Sequence, residues 1–182
     1  MASKLMAYPN LLDFARIPND ALVALDWRPY HFAIQPYHYL IRIIHIVSMA
    51  GFFGGIATLD LRLLGWWRAL PVGPFVEQIV PLLYVMFGVT FISGCALFFY
   101  DPVHVGSHAY FTLKLILTAL GIANAALFRS SGYLPTLTGD ASAAESAIFR
   151  ARVFGALSLA LWFGVVVCAC LNVEAAPRVL LR

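Results

Sequence analysis

Long apolar stretches alternate with short polar ones along this chain, on a scale far longer than the repeat of an amphipathic helix or strand. Four stretches, Tyr37–Leu59, Gln78–Tyr100, Tyr110–Phe128 and Val153–Val173, are apolar on nearly every helical face. A bilayer core of about 30 Å is crossed by roughly 20 apolar residues in helical form. A coiled coil or soluble bundle would instead keep one polar face on each helix. Each stretch has recognisable ends. Span one closes at Asp60-Leu61-Arg62, followed by the interfacial group Trp66-Trp67-Arg68, and span two begins beside Pro81 and stops at Tyr100-Asp101-Pro102. Span three ends at Arg129-Ser130-Ser131-Gly132, and Arg150 and Arg152 precede span four.

The pattern predicts an all-α polytopic membrane protein, a four-transmembrane-helix bundle over residues 35–176, with a tail at 177–182. Residues 1–34 follow a different rule. Two short apolar patches, Leu11–Ile17 and Ala21–Leu25, are broken by Pro18-Asn19-Asp20, a stop followed by a helix cap. A basic start, apolar core and small-residue cleavage site do not follow one another there, so no signal peptide is expected. This part reads as a membrane-surface segment anchored by Trp27 and Arg28.

Composition agrees. The 182 residues are 62% hydrophobic and 12% charged, where soluble domains carry about 25% charge. The net charge of +3 is spread without a basic run, which argues against nucleic acid as a partner. Four spans place both termini and the 101–109 loop on one face, side X, and the other two loops on side Y. Side Y carries Arg62, Arg68, Arg129, Arg150 and Arg152 in short loops, whereas side X carries Lys4, Arg16, Arg28, Arg178 and Arg182, several far from a span. The positive-inside rule then makes side Y cytoplasmic. In a bacterial inner membrane, the termini and side X would be periplasmic.

The candidate chemistry is one-sided. All five histidines map to side X: His31, His38 and His45 at the start of span one, His104 and His108 between spans two and three. His38, Arg42, His45 and Met49 stand at i, i+4, i+7 and i+11, a single helical stripe. Polar groups facing lipid cost several kcal/mol, so this stripe is expected to face the bundle interior. Lys114 enters from the same side in span three. Two imidazoles on different segments at similar depth suit a b-type haem, ligated from both faces, with cations near its propionates. His45 with His108 is the preferred ligand pair, His38 and His104 the substitutes, and Arg42 and Lys114 the cations. Interfacial hydrogen bonding is the plainer account of His31 and His104.

Copper is the rival chemistry, since thiolate, thioether and imidazole ligands select Cu(I). Cys95, Cys168 and Met49 would be its ligands beside the histidines. Cys168 and Cys170, two apart on a helix, do not face one ion. Ordinary apolar packing also accounts for these sulfur residues. Thr90, Ser93 and Gly94 in span two, with Gly155 and Ser158 in span four, read as small-residue packing faces, and Asn124 as an amide pinning helices together. Gly51, Gly54 and Gly55 permit close approach to span one. Neither a nucleophile–base pair, a P-loop nor a dinucleotide fingerprint is present.

The first-span His, the following Gly54-Gly55, Asp60-Leu61-Arg62-Leu63-Leu64-Gly65, Thr90–Gly94, Phe111-x-x-Lys114 and Asn124 together form a familiar pattern. Over Tyr37–Val173 it resembles a bacterial four-span domain-of-unknown-function family related to the CopD-like copper-resistance membrane domains. It is more distantly similar to the membrane protoporphyrinogen oxidases, which pair a first-span His with a third-span Lys and are haem-associated. The resemblance implies that His45 and Lys114 are the matching functional positions. Full CopD proteins have more spans than this chain.

Three readings follow. The first is a haem b redox protein or subunit that passes electrons on side X to quinone or a partner protein, within an oligomer or larger complex. The second is a CopD-type copper-handling protein. The third is an accessory structural subunit. The ligand-poor side-Y half argues against a path for ions through the membrane and suits a cofactor held in one leaflet.

Overall fold

The chain is described by a computed structural model over residues 16–67, 69–131 and 144–173. Residues 1–15 of the N-terminal segment, the tail 177–182, and with them Lys4, Arg68, Arg178 and Arg182, lie outside the described residues. Seven α-helices appear among those described: α1 (Asn19–Ala24), α2 (Arg28–Ile34), α3 (His38–Leu64), α4 (Val72–Tyr100), α5 (Pro102–Gly106), α6 (Ala109–Ser130) and α7 (Ala144–Val173). A single 3-10 turn, Gln35–Tyr37, separates α2 from α3. The described residues contain no strand. Helices α3, α4, α6 and α7 are long and apolar enough to cross a bilayer, so the protein is an all-α multi-pass membrane protein with a four-helix bundle.

The helices outrun the spans read from the sequence. Helix α3 continues past Asp60 to Leu64 and stops where Gly65 adopts φ 103°, a left-handed turn that donates its N–H to the Arg62 carbonyl. Helix α4 begins at Val72, more than two turns before Pro81, and runs through that proline. Membrane helices tolerate such a proline because neighbouring groups and small adjustments satisfy the freed carbonyl. At its other end, α4 gives way to α5 at Asp101, whose carboxylate accepts the His104 N–H at 3.1 Å.

Helix α3 packs on both α4 and α7, and α7 packs on α6. Helices α4 and α6 meet through side chains: Phe98 stacks on Phe111, and Arg129 donates to the Tyr84 hydroxyl. The centre is Phe52, Leu59, Leu83 and Trp162, with Phe87 against both Phe52 and Trp162. Trp162 fits only because α6 offers Gly121, where a Cβ would lie 3.0 Å from the indole. In lipid, association rests on such close van der Waals packing, since the bilayer already solvates apolar side chains. Gly51 and Gly55 serve the same end against Met86 and Leu83 of α4, while Gly54 faces open space. Large apolar residues such as Ile92, Phe149 and Val47 are more than 60% exposed, the inverse of a soluble core.

The short helices gather at side X. Leu22 of α1 is fully buried and packs beneath α5 at Gly106. Helix α2 is tied to α4 by Tyr30, which donates to the Ala96 carbonyl, and α5 is tied to α7 by Asn172, which donates to the Val105 carbonyl. The segment beginning at Arg16 is therefore folded onto the bundle, while Trp27 and Phe32 remain outside, each more than 60% exposed.

Candidate functional site

The best-defined polar site joins α3 and α4 about two turns in from the side-X end of α3. His45 is half-buried, and its Nδ1 lies 3.0 Å from the Thr90 carbonyl and 3.0 Å from Ser93 Oγ. A carbonyl only accepts, so Nδ1 carries the proton and donates it. Ser93 receives it as an acceptor, because its own hydroxyl donates to the Val89 carbonyl at 2.6 Å. Ser48 donates to the His45 carbonyl, and Thr90 Oγ1 lies 2.9 Å from Ser48 Oγ and 2.8 Å from the Met86 carbonyl. These bonds fix both the ring and its tautomer, and leave Nε2 with a bare lone pair.

Gly94 makes the arrangement possible. A Cβ there would stand 3.0 Å from His45 Cε1 and press into the ring. The sequence Thr90-Phe91-Ile92-Ser93-Gly94 thus supplies a carbonyl, a hydroxyl and a vacancy on one face of α4, at i, i+3 and i+4. These residues pack against α3, as their small size suggests, but their polar atoms are spent on one imidazole.

Lys114 of α6 lies within electrostatic range of His45. Its ammonium sits 4.9 Å from the centroid of the Phe111 ring, a cation–π contact, and it is also an electrostatic neighbour of Cys168 on α7. Among the described residues, no carboxylate comes within ion-pair distance of it. A half-buried lysine with no acid at ion-pair distance is uncommon within a membrane span.

The remaining side-X candidates separate into two groups. His31 donates through Nδ1 to the Tyr100 carbonyl at 2.8 Å, and both His31 and His38 stack on the Tyr100 ring, with centroids at 4.4 and 4.6 Å. Arg42 donates to His38 Nε2 at 3.4 Å. The expectation that the whole His38–Arg42–His45–Met49 stripe faces inward is corrected at one position. His38, His45 and Met49 are half-buried, but Arg42 is exposed. Its long side chain can carry the guanidinium along the helix towards the aqueous edge while the stem covers apolar surface.

His104 and His108 form the other group, with ring centroids 6.0 Å apart. Burial, then the neighbouring His104 and Arg16, hold the His108 imidazole below its usual pKa. His108 has His104 and Arg16 around it, whereas the His45 ring meets Thr90 and Ser93; no contact joins His45 to His108 among the described residues. On the sulfur side, Cys168 is buried, Cys170 exposed and Cys95 half-buried, so the two α7 thiols look in different directions. No three His, Cys, Asp or Glu side chains converge on a common point among the described residues.

A second polar layer lies deeper towards side Y. Asp60, read from the sequence at the exit of span one, is only 2% exposed and hydrogen-bonded with Ser158 of α7. Its Oδ2 has no partner. Gly155, one turn before Ser158, lets α7 approach: a Cβ there would lie 3.2 Å from the Asp60 carbonyl oxygen. Asn124 of α6 donates to the Phe154 carbonyl at 3.1 Å, pinning α6 to α7.

These features define a multi-pass helical membrane protein with a tautomer-fixed histidine in α3 and, in its electrostatic range, a lysine without an acid at ion-pair distance among the described residues. Comparison of the chain with protein-family profiles, curated proteins and solved structures finds no match in any of the three.

Proposed function

We propose that this chain is a membrane-embedded b-type haem protein, acting in electron transfer near side X, in which His45 would hold the iron. One observation carries the reading: the Nδ1–H of His45 is committed to the Thr90 carbonyl and Ser93, which leaves Nε2 as an oriented, unprotonated donor. Metal-ligating histidines characteristically donate their other ring N–H to a carbonyl or carboxylate, which fixes the ring and raises its basicity. The residues present fit the group in charge as well. Lys114, with no acid to neutralise it among the described residues, suits a propionate carboxylate, and Arg42 stands at the aqueous edge of the same helix face.

When bound, haem b would supply one-electron redox chemistry. The protein's own part is to hold the imidazole, exclude water with the surrounding apolar walls and offset carboxylate charge at Lys114. His108, His104 and His38 are the candidates for a second imidazole. Quinone or a redox protein meeting the His-rich side is the corresponding partner, and the resemblance of His45 and Lys114 to the first-span His and third-span Lys of haem-associated membrane proteins supports the same pair. The copper reading, with Cys95, Cys168 and Met49 beside the histidines, draws less support, because no three His, Cys, Asp or Glu side chains converge among the described residues.

The test is a reduced-minus-oxidised absorption spectrum of the detergent-solubilised protein, with iron and copper measured on the same sample. An α-band near 560 nm, roughly the position of b-type haem, with iron is expected. His45→Ala is expected to abolish it, and His31→Ala to leave it. Retention of the full band in His45→Ala would sink the ligand assignment; copper without haem would replace it with the copper reading.

A further inference from the structure

Asp60 is the most enclosed acid among the described residues, held in the seam between α3 and α7. The Ser158 hydroxyl serves its carboxyl group, and Oδ2 has no partner. Among the described residues, no cation forms an ion pair with it. The charged groups on the helices packed around it are engaged or turned outward. Arg62 on α3 donates through Nε to the Leu70 carbonyl at 2.8 Å, while Glu77 on α4 and Glu145, Arg150 and Arg152 on α7 are exposed. An ionised carboxylate offers about four acceptor positions and no donor. Enclosed with one hydroxyl and no cation, it is far costlier than the neutral acid, and a group so placed takes up a proton instead.

A route for that proton lies beside it. A groove of about 350 Å³ opens on side Y between the end of α3, the start of α4 and the first turns of α7, with Leu63, Val72 and Ala151 in its lining. Arg62 and Arg152 line it too, which makes it polar and roomy enough to admit water. Leu63 stands one turn beyond Asp60 on α3, and Ala151 one turn before Gly155 on α7, so the groove reaches to about 5 Å from Asp60 along the helix axis. The helices meet between these levels at Gly155, where a Cβ would lie 3.2 Å from both Leu63 Cβ and the Asp60 carbonyl oxygen. Gly155 adds no side chain to that partition.

We propose that Asp60 is a proton-binding site, occupied at neutral pH, which exchanges its proton with water on side Y through this groove. The inference is independent of the haem reading, since the site shares no residue with the contacts of His45.

Infrared spectroscopy of the full chain in detergent, in H2O and in D2O, tests it. The carbonyl stretch of a neutral carboxyl is expected at neutral pH, lost in Asp60→Asn and shifted in D2O. Val72→Trp, which fills the groove, should slow that shift severalfold. If Asp60→Asn loses its helical circular dichroism, the unaltered chain is labelled with dicyclohexylcarbodiimide, which reacts with neutral carboxyls in apolar surroundings. Peptide mapping should then find the label on Asp60, falling about tenfold per pH unit once the carboxyl ionises. Absence of the band, its survival in folded Asp60→Asn, or absence of label from Asp60 would overturn the site. A band that does not shift in D2O, or exchange unchanged in Val72→Trp, would overturn the route. Protection from the label by millimolar sodium at constant pH would overturn the proton as occupant and assign the carboxyl to a metal cation.

Discussion

Two polar layers cross this bundle, and they use hydrogen bonds for different ends. In the side-X layer, the Thr90 carbonyl and Ser93 converge on one ring and leave its second nitrogen uncommitted, with an acid-free lysine nearby. In the deeper layer, Asn124 grips the Phe154 carbonyl and Asp60 meets Ser158, so each bond ties one helix to the next. Intramembrane polar residues are costly in both places. Asp60 Oδ2 and Asn124 Oδ1 are left unpartnered as well, so the difference lies in what the bonds hold. In the first layer two acceptors of one helix orient a single ring and fix its tautomer, and in the second each bond is a clasp that joins two helices.

Three substitutions press on that contrast. The largest effect is expected from Gly94→Val, which drives bulk into the His45 ring at the point where even a Cβ stands 3.0 Å away. It should remove most of the proposed haem band while the bundle stays helical, read by absorption and circular dichroism together. An undiminished band would mean that the ring position is not what binds. Next comes Lys114→Met, which keeps the length and removes the charge. Loss of a nearby cation disfavours the reduced form, so the midpoint potential should fall by roughly tens of millivolts, as expected for a charge several ångströms away at moderate effective dielectric. An unchanged potential in a redox titration would detach Lys114 from the site.

The smallest effect belongs to the clasp. Asn124→Ala should leave the haem spectrum and potential untouched and lower stability by about 0.6 kcal/mol, the average for an interhelical hydrogen bond in a membrane protein. Unfolding in mixed micelles measures it. A spectral change in Asn124→Ala would dissolve the distinction between the two layers.

The sequence revealed the bundle because a lipid-facing helix must be apolar almost everywhere, a demand that each span meets by itself. It also brought His45 and Lys114 to one side, through connectivity alone. Cross-helix register was the part it withheld. Thr90 and Ser93 look like packing residues until α4 is rotated against α3, and only then does the carbonyl of Thr90 meet an imidazole 45 residues earlier. The packing of Asp60 was hidden for a related reason. Followed by Leu-Arg and two tryptophans, it has the surroundings of a membrane exit, and nothing local shows that Gly155 admits α7 and buries it one turn before α3 ends. Arg42 erred in the other direction: helical phase put it on the inner stripe, and the reach of its side chain left it exposed.

All hydrogen-bond partners of the His45 ring lie on α4, the very next span to be made. The first hairpin therefore contains every group needed to orient the imidazole, whereas Lys114 belongs to α6. Biogenesis inherits an order from this. The imidazole can be oriented by the first two inserted helices, and the third then brings Lys114, so that assembly of the bundle and completion of this polar site are successive steps along the chain.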